Sequence, residues 1–483
     1  MLQANGSGGI LSAVRKSNLW ADDDNHLKIF KQSCNLSMKF NTCQQERFNL
    51  PKHKLMKNFL KIHVCGALLL ILLFAASTKE ADAQKSESSK QTPVVLIHGI
   101  GGADLDYQPK GKGIWSNGFP NDVLIGRAGD PQNLQFDQEG SPRTDTISKD
   151  VKAVGFYDVP GGRNITDLSK FLQKNGYVKD SELYEFAYDF RFSAVYNAAK
   201  LGELIEEIRR KNKNQPVDIV AHSFGGLIAK QYLLNPASAS NVGQVIFVGT
   251  PHLGAPKALK ALRYGDNLDV RIIDGCKLKR VVHNMPGMFN LLPGHRYFEA
   301  NGGGYFEDES DLDGDQVRGV LDYEHTIYNL INGKETRCLL KPSVDALPFD
   351  RLSESLLAEH AVKFHDDLDN WKKPANVRVS MIVGYNVPTL KMLSETNDGI
   401  KLTYTTGGDG TVPLRSAETS DADTIYYADL KKLKTEHSGM IGAPIIIRKI
   451  LDLLKRDYKS SSNNFSIVRP DDKDFTETSE LKR

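Results

Sequence analysis

VDIVAHSFGGLI, residues 217–228, decides how the rest of the chain is read. Val217 to Ala221 form an apolar run of strand length, and Leu227, Ile228 and Leu233 begin a helical face. A serine between them, Ser223, occupies a sharp strand-to-helix turn that lifts its hydroxyl above a sheet. Such a turn crowds its flanks against neighbouring chain, so small residues are needed two before and two after the serine. Ala221 and Gly225 meet that need.

Outward from this corner the same rhythm repeats. Residues 93–97 (PVVLI), 244–248 (QVIFV), 377–383 (VRVSMIV) and 424–428 (TIYYA) read as further strands. Continuous Val/Ile runs are what parallel strands covered on both faces require. Helical spacing links them in Leu201, Leu204, Ile205 and Ile208, and closes the chain's body in Ile445, Ile446, Ile450 and Leu453. The expectation is an α/β fold with a mostly parallel central sheet flanked by helices. Its core spans residues 84–262 and 374–458. Two stretches break the rhythm: residues 103–146 read as a lid-like loop, and 263–373 as a cap inserted over the sheet edge. Residues 459–483 read as a disordered polar tail.

Lys and Arg number 62 against 60 Asp and Glu, a formal charge of +2 in 483 residues, so nothing favours nucleic acid as a partner. Apolar residues at 40% and charged residues at 25% are those of a globular protein. Near the start, residues 64–76 (VCGALLLILLFAA) are uncharged but short for a membrane span. Lys52, Lys54, Lys57 and Lys61 precede them and Ala81-Asp82-Ala83 follows, the pattern of a cleaved signal peptide over 56–83. Residues 1–55 then read as a spurious or disordered extension ahead of Met56. Secretion or a periplasmic location follows, with an uncleaved signal-anchor as the alternative. Cys276 and Cys338 would be the cysteines left after cleavage. One disulfide between them closes a loop worth ~3–4 kcal/mol in the chain-entropy model, against two free thiols.

A serine nucleophile needs a base, and the base an orienting acid; in this architecture both follow the serine in the chain. Asp409 lies in the Gly-rich loop TGGDGTVP, 406–413, and His437 is the one histidine of twelve that follows it. Asp421 and Asp423 are rival acids in a polar turn. The oxyanion donors are expected to be the backbone N–H groups of Phe224 and, after the first strand, of Ile100. His98 and His222 precede the acid and read as hydrogen-bonding supports. Trp115 and Phe119, in the lid-like loop, are candidate contacts to a lipid surface or simply to the cap. No metal or cofactor is implied. The acidic run 307–315 fails as a calcium loop because Val320 stands at the position of the bidentate Glu. Asn164-Ile165-Thr166 fits a glycosylation sequon, and Trp371 reads as core.

Taken in order, these motifs resemble the lecithin:cholesterol acyltransferase-like branch of the α/β-hydrolases. The likeness runs through Asn175-Gly176-Tyr177, Ala187-Tyr188-Asp189-Phe190-Arg191 (with Phe190 at the family's Trp), and Gly249-Thr250-Pro251 to Gly254-Ala255-Pro256 and Gly265-Asp266-Asn267. It continues through Met285-Pro286 to Leu291-Leu292-Pro293 and Asp409-Gly410-Thr411-Val412-Pro413 to Arg415-Ser416. HGIGG and AHSFGG depart toward bacterial lipases and esterases. The resemblance implies an α/β-hydrolase fold and an exported serine-dependent lipid acyl hydrolase or O-acyltransferase. Such an enzyme passes an acyl group from a glycerolipid ester through Ser223 to water or an alcohol, in peripheral contact with a lipid surface. A triacylglycerol lipase or carboxylesterase with the same triad, and an inactive binding protein of this fold, are the alternatives.

Overall fold

Thirteen strands order the polypeptide in the computed structural model, which describes residues 91–107, 112–115, 134–158, 163–266, 275–301, 353–396, 399–458 and 464–479. In chain order they are β1 (Val94–Ile97), β2 (Ala103–Tyr107), β3 (Lys112–Trp115), β4 (Val151–Phe156), β5 (Leu183–Phe186), β6 (Val217–His222) and β7 (Val242–Val248). Then come β8 (Arg378–Tyr385), β9 (Thr389–Thr396), β10 (Gly399–Thr405), β11 (Thr424–Asp429), β12 (Phe465–Ser466) and β13 (Asp474–Ser479). The helices that matter below are α1 (Ile165–Lys174), α2 (Ala194–Lys211), α3 (Phe224–Leu233), α4 (Pro256–Tyr264), α5 (Gly275–Val282), α6 (His437–Met440) and α7 (Pro444–Leu454).

The main sheet runs β12-β11-β8-β7-β6-β1-β5, parallel except for β12. Val94, Val95, Leu96 and Ile97 are all buried, as are Val217 to Ala221, which is why these strands lack alternation. The five strand runs read from sequence all lie in this sheet, an α/β-hydrolase arrangement. Helices cover both faces. α2 turns Leu201, Ile205 and Ile208 to one core cluster, and α7 turns Ile446, Ile450 and Leu453 to another.

Chain order departs from spatial order once in a way that matters. After β1 the chain adds β5 on one side, then returns to add β6 on the other. The crevice at such a reversal, outside the carboxyl ends of the strands, is where open α/β sheets bind ligands. The register aligns Ile97 with Ala221, so the segments starting at His98 and His222 leave the sheet side by side.

Two expectations change, and the expected cap acquires secondary structure. Part of the 103–146 stretch is strand: β2 pairs antiparallel with both β3 and β4. The tail is not wholly irregular, because β13 pairs with β10 over Ser479 to Asp474 and Lys391 meets Asp474. Of Phe475, Thr476, Glu477 and Thr478 only the first is apolar, its ring stacked on Tyr404, and so thin an apolar pattern conceals the strand within a polar tail. The cap expected over 263–373 is described as helices where it is described at all, including α5 and Pro286–Phe289. Cys276 in α5 is disulfide-bonded, while Cys338 lies outside the described residues, as do 1–83, Phe119, the 307–315 run and the side chain of Trp115.

Arg191 ties the segment after the excursion to the core. Its side chain is wholly buried, its Nε and Nη2 straddle Asp189, and Nη1 and Nη2 donate to Ser148 and to the Val151 carbonyl. Arg191→Lys keeps the charge but loses the fork that satisfies five acceptor atoms. Breaking a buried pair costs about 3–5 kcal/mol, and we expect Arg191→Lys to lose a large part of that, read from the urea midpoint. A midpoint equal to that of the parent protein would refute this role.

Candidate active site

Ser223 stands at the β6–α3 corner with φ 53° and ψ −125°, a left-handed conformation that L-residues avoid. The turn is held by Ser223 N–H to the Val248 carbonyl at 2.9 Å and Gly226 N–H back to Ser223 at 2.9 Å. Gly225 has no room for a side chain: a Cβ there would lie 2.4 Å from the His98 carbonyl oxygen. The corner therefore exists because residue 225 is glycine, the requirement read from sequence.

Three distant segments meet at this hydroxyl. His437 Nε2 lies 2.8 Å from Ser223 Oγ, and His437 Nδ1 lies 2.7 Å from Asp409 Oδ2. A carboxylate accepts only, so the imidazole carries its proton on Nδ1 and offers Nε2 as acceptor to the hydroxyl. The other oxygen of Asp409 accepts from Val412 and Thr411 N–H at 2.7 and 3.0 Å. Asp409, buried with 1% exposure, is thus held as a charged acceptor. The His437 N–H also donates to the Asp409 carbonyl at 2.8 Å. The rival acids are engaged elsewhere: Asp423 accepts from Val379 N–H and pairs with Lys373, and Asp421 accepts from Lys373 N–H.

The remaining donors flank the hydroxyl. Phe224 is the first residue of α3, whose N–H has no intrahelical partner. Gly99 presses on the serine so closely that a Cβ would sit 2.9 Å from Ser223 Cβ, which brings the following peptide, that of Ile100, into the site. Ile100 and Ser223 line the same cavity.

His98 and His222 do not reach the Ser223 hydroxyl. His98 accepts from Tyr188 N–H on Nε2, so its proton is on Nδ1 and donates to the Gly99 carbonyl at 2.6 Å. Its ring stacks on Tyr188 at 4.0 Å. His222 Nε2 donates to the His437 carbonyl at 3.0 Å, bracing the backbone of the residue whose ring faces the serine. Burial pushes His98 down to about 4 and His222 down to about 3. Sequence order alone does not show Gly249, whose α-carbon is tucked against this pair: a Cβ there would lie 3.2 Å from Asp409 Oδ2 and 3.3 Å from His437 Nδ1.

Above the serine opens a cavity of about 1200 Å³. Its lining includes the apolar Leu134, Phe190, Leu278, Val282, Met285 and Met288, so α5 and its neighbours from the expected cap contribute to its wall. The lining also includes the polar Asn164, Asn386, Thr406 and Thr411. Asn164 answers the sequon question differently. Its Oδ1 caps α1 by accepting from Thr166 N–H at 2.9 Å, while its Nδ2 donates to Asp158 at 3.3 Å. The amide nitrogen that a glycan would need is engaged.

A hydroxyl, an oriented imidazole and a buried carboxylate, flanked by backbone donors, can carry out acyl transfer. Trp371, 6% exposed and edge-on to Phe247, is core. Among the described residues no helix is long and apolar enough to cross a membrane.

Two histidines kept neutral by burial set a pH dependence. Their folded values lie below the ordinary 6.5, so the unfolded chain binds more protons as the pH falls, and stability present above pH 6.5 is lost between there and about 4 for His98 and about 3 for His222. Each neutral histidine contributes a slope of up to about 1.4 kcal/mol per pH unit in that window. Urea midpoints at pH 7 and pH 5 should differ, and should differ less in His98→Gln. An equal difference in that variant would refute the assignment.

Comparison with known proteins gives a family-model match over part of the chain. Residues 152–335 match the family model described as lecithin:cholesterol acyltransferase. The chain is 29% identical over 174 residues to the phosphatidylcholine-sterol acyltransferase of Mus musculus, covering 34% of this chain and 38% of that one. It is 26% identical over 204 residues to the phospholipase A(1) LCAT3 of Arabidopsis thaliana, covering 36% and 44%. The chain thus spans less than half the length of these two relatives. Among solved structures, the mature Bacillus licheniformis lipase BlEst2 aligns over 76% of this chain and 93% of its own, at 15% identity and a TM-score of 0.33.

Proposed function

We propose that this chain, a member of the lecithin:cholesterol acyltransferase-like family of α/β-hydrolases, is a serine-dependent enzyme of the lipid acyl hydrolase type. The observation that carries the reading is the unbroken relay from Ser223 Oγ through His437 to Asp409 beside a large, partly apolar cavity. His437 Nε2 takes the hydroxyl proton as Ser223 Oγ attacks the carbonyl carbon of a glycerolipid ester. The oxyanion is met by the N–H groups of Phe224 and Ile100, each such donor being worth about 3–4 kcal/mol in the transition state. The imidazolium, stabilised by Asp409, returns the proton to the departing glycerol oxygen and leaves an acyl ester on Ser223. His437 then deprotonates water or an alcohol, which attacks that ester and frees Ser223.

The apolar lining suits an acyl chain, which gains about 0.8 kcal/mol for each methylene taken out of water. That gain favours long-chain lipid esters over the short esters of a carboxylesterase. Export through residues 56–83 and peripheral contact with a lipid surface belong to the same reading, since the substrate resides at an interface. The ester specificity is read by comparing a long-chain glycerolipid with a short nitrophenyl ester.

The chemistry is tested with a fluorophosphonate, which labels an activated serine covalently. The parent protein should be labelled once, and Ser223→Ala should be neither labelled nor active while melting normally. Asp409→Asn should lower kcat by about 10⁴-fold, because the amide no longer holds the imidazole in the required tautomer. More than a tenth of parental turnover in Ser223→Ala would overturn the proposal.

A further inference from the structure

Four cations line the cavity, of which Lys257 is buried and three are exposed. The exposed three are Arg163, Lys431 and Lys434. Arg163 donates to the carbonyls of Leu433 and Lys434 at 3.1 and 3.5 Å, so its guanidinium is fastened to the loop that carries Lys434. Lys434 itself sits at φ 51° as the C-cap of the short helix Leu430–Leu433, a left-handed position that fixes the turn into α6.

The carboxylates close to these cations in sequence are committed to other partners. Asp158 pairs with Lys170 at 2.8 Å, and Asp429 with Lys432 at 3.3 Å. Glu436 is the one carboxylate among the described lining residues. Arg163, Lys431 and Lys434 have no ion-pair partner among the described residues, which leaves three cations against one anion where the cavity meets water. Lys434 precedes His437 by three residues, and a chain of that length reaches at most about 11 Å. In a glycerophospholipid the phosphate stands only a few bonds from the reacting ester, so these charges lie within reach of a head group whose acyl ester is at Ser223.

The same rim is poorly made for a quaternary ammonium. Such a cation is recognised by stacked aromatic faces. Among the described lining residues the aromatic rings besides the histidines are those of Tyr157 and Phe190, and Phe190 is 6% exposed. A choline group would bring a permanent positive charge to a surface already in cationic excess.

Building on the acyl chemistry proposed above, we infer that this rim selects glycerolipid esters with a net negative head group: a phosphate without a compensating ammonium, held by Arg163, Lys431 and Lys434. The selection acts on the individual molecule, so it operates in solution without a membrane. Arg163 brings a fork suited to phosphate oxygens, and the lysines act as point charges beside it.

The test uses dihexanoyl esters below their micelle concentration, which removes any effect of a charged surface. Dihexanoyl-phosphatidylglycerol, dihexanoyl-phosphatidylcholine and dihexanoylglycerol are compared by kcat/KM. Phosphatidylglycerol should be preferred over phosphatidylcholine by about tenfold at low salt, and the preference should shrink at 1 M salt, where the screening length is about 3 Å. Lys431→Ala/Lys434→Ala should collapse that ratio to within about twofold, and Lys431→Arg/Lys434→Arg should preserve it. Equal rates for the two phospholipids in the parent protein would overturn the inference, as would a double alanine variant that loses activity on all three esters in equal measure. In those cases hydrolysis of dihexanoylglycerol shows that the acyl chemistry stands. If none of the three esters is turned over, the acyl chemistry falls and the inference falls with it.

Discussion

Everything at this site depends on one residue being held where its backbone would not choose to go. A left-handed serine costs of the order of 1–3 kcal/mol and persists only where surrounding structure over-determines it. Here the over-determination comes from both sides. The β6 register hands the chain to the corner beside β7, whose Val248 carbonyl accepts the Ser223 amide. Gly225 then lets α3 start directly against the end of β1. With a Cβ at position 225, the helix would have to move away from the His98 carbonyl. The hydroxyl would then leave the place where imidazole and amides converge.

The same logic explains why so many supports are backbone groups. His437 is fixed by its own amide on the Asp409 carbonyl and by its carbonyl on His222. Asp409 is fixed by two amides of the loop that follows it. Charge therefore appears at the centre of the relay but little positional work is left to long, flexible side chains. Burial keeps His222 and His98 neutral, so neither of these two rings sets a positive charge against the imidazole facing the serine at moderate pH. The strained corner and its neutral surroundings act together.

Much of this was legible because it rests on short-range rules. Continuous Val/Ile runs mark buried parallel strands, and the small residues around Ser223 mark the corner. Chain order picks out His437 from twelve histidines. What was not legible depends on partners far away in sequence. β5 is only Leu183 to Phe186 and gains its identity by pairing with β1. The tail strand has a single apolar residue, Phe475, and exists because β10 offers a free edge. The cap's contribution to the cavity wall cannot be read from its helical spacing, because α5 buries residues toward a space rather than toward a strand. Arg163 and Lys434 are some 270 residues apart, and no local pattern suggests that they share a rim.

The outer position of β13 bears on how the protein can be handled. Six residues of β10 find their partners in it, from Ile400 with Ser479 to Thr405 with Asp474. Trimming the polypeptide before Asp474 to suit crystallisation would bare that ladder, and an uncovered strand edge is a template for a neighbouring molecule. Self-association of a shortened version would then reflect a missing hem and not a failure of the sheet itself, so an affinity tag is better appended beyond Ser479 than substituted for the tail.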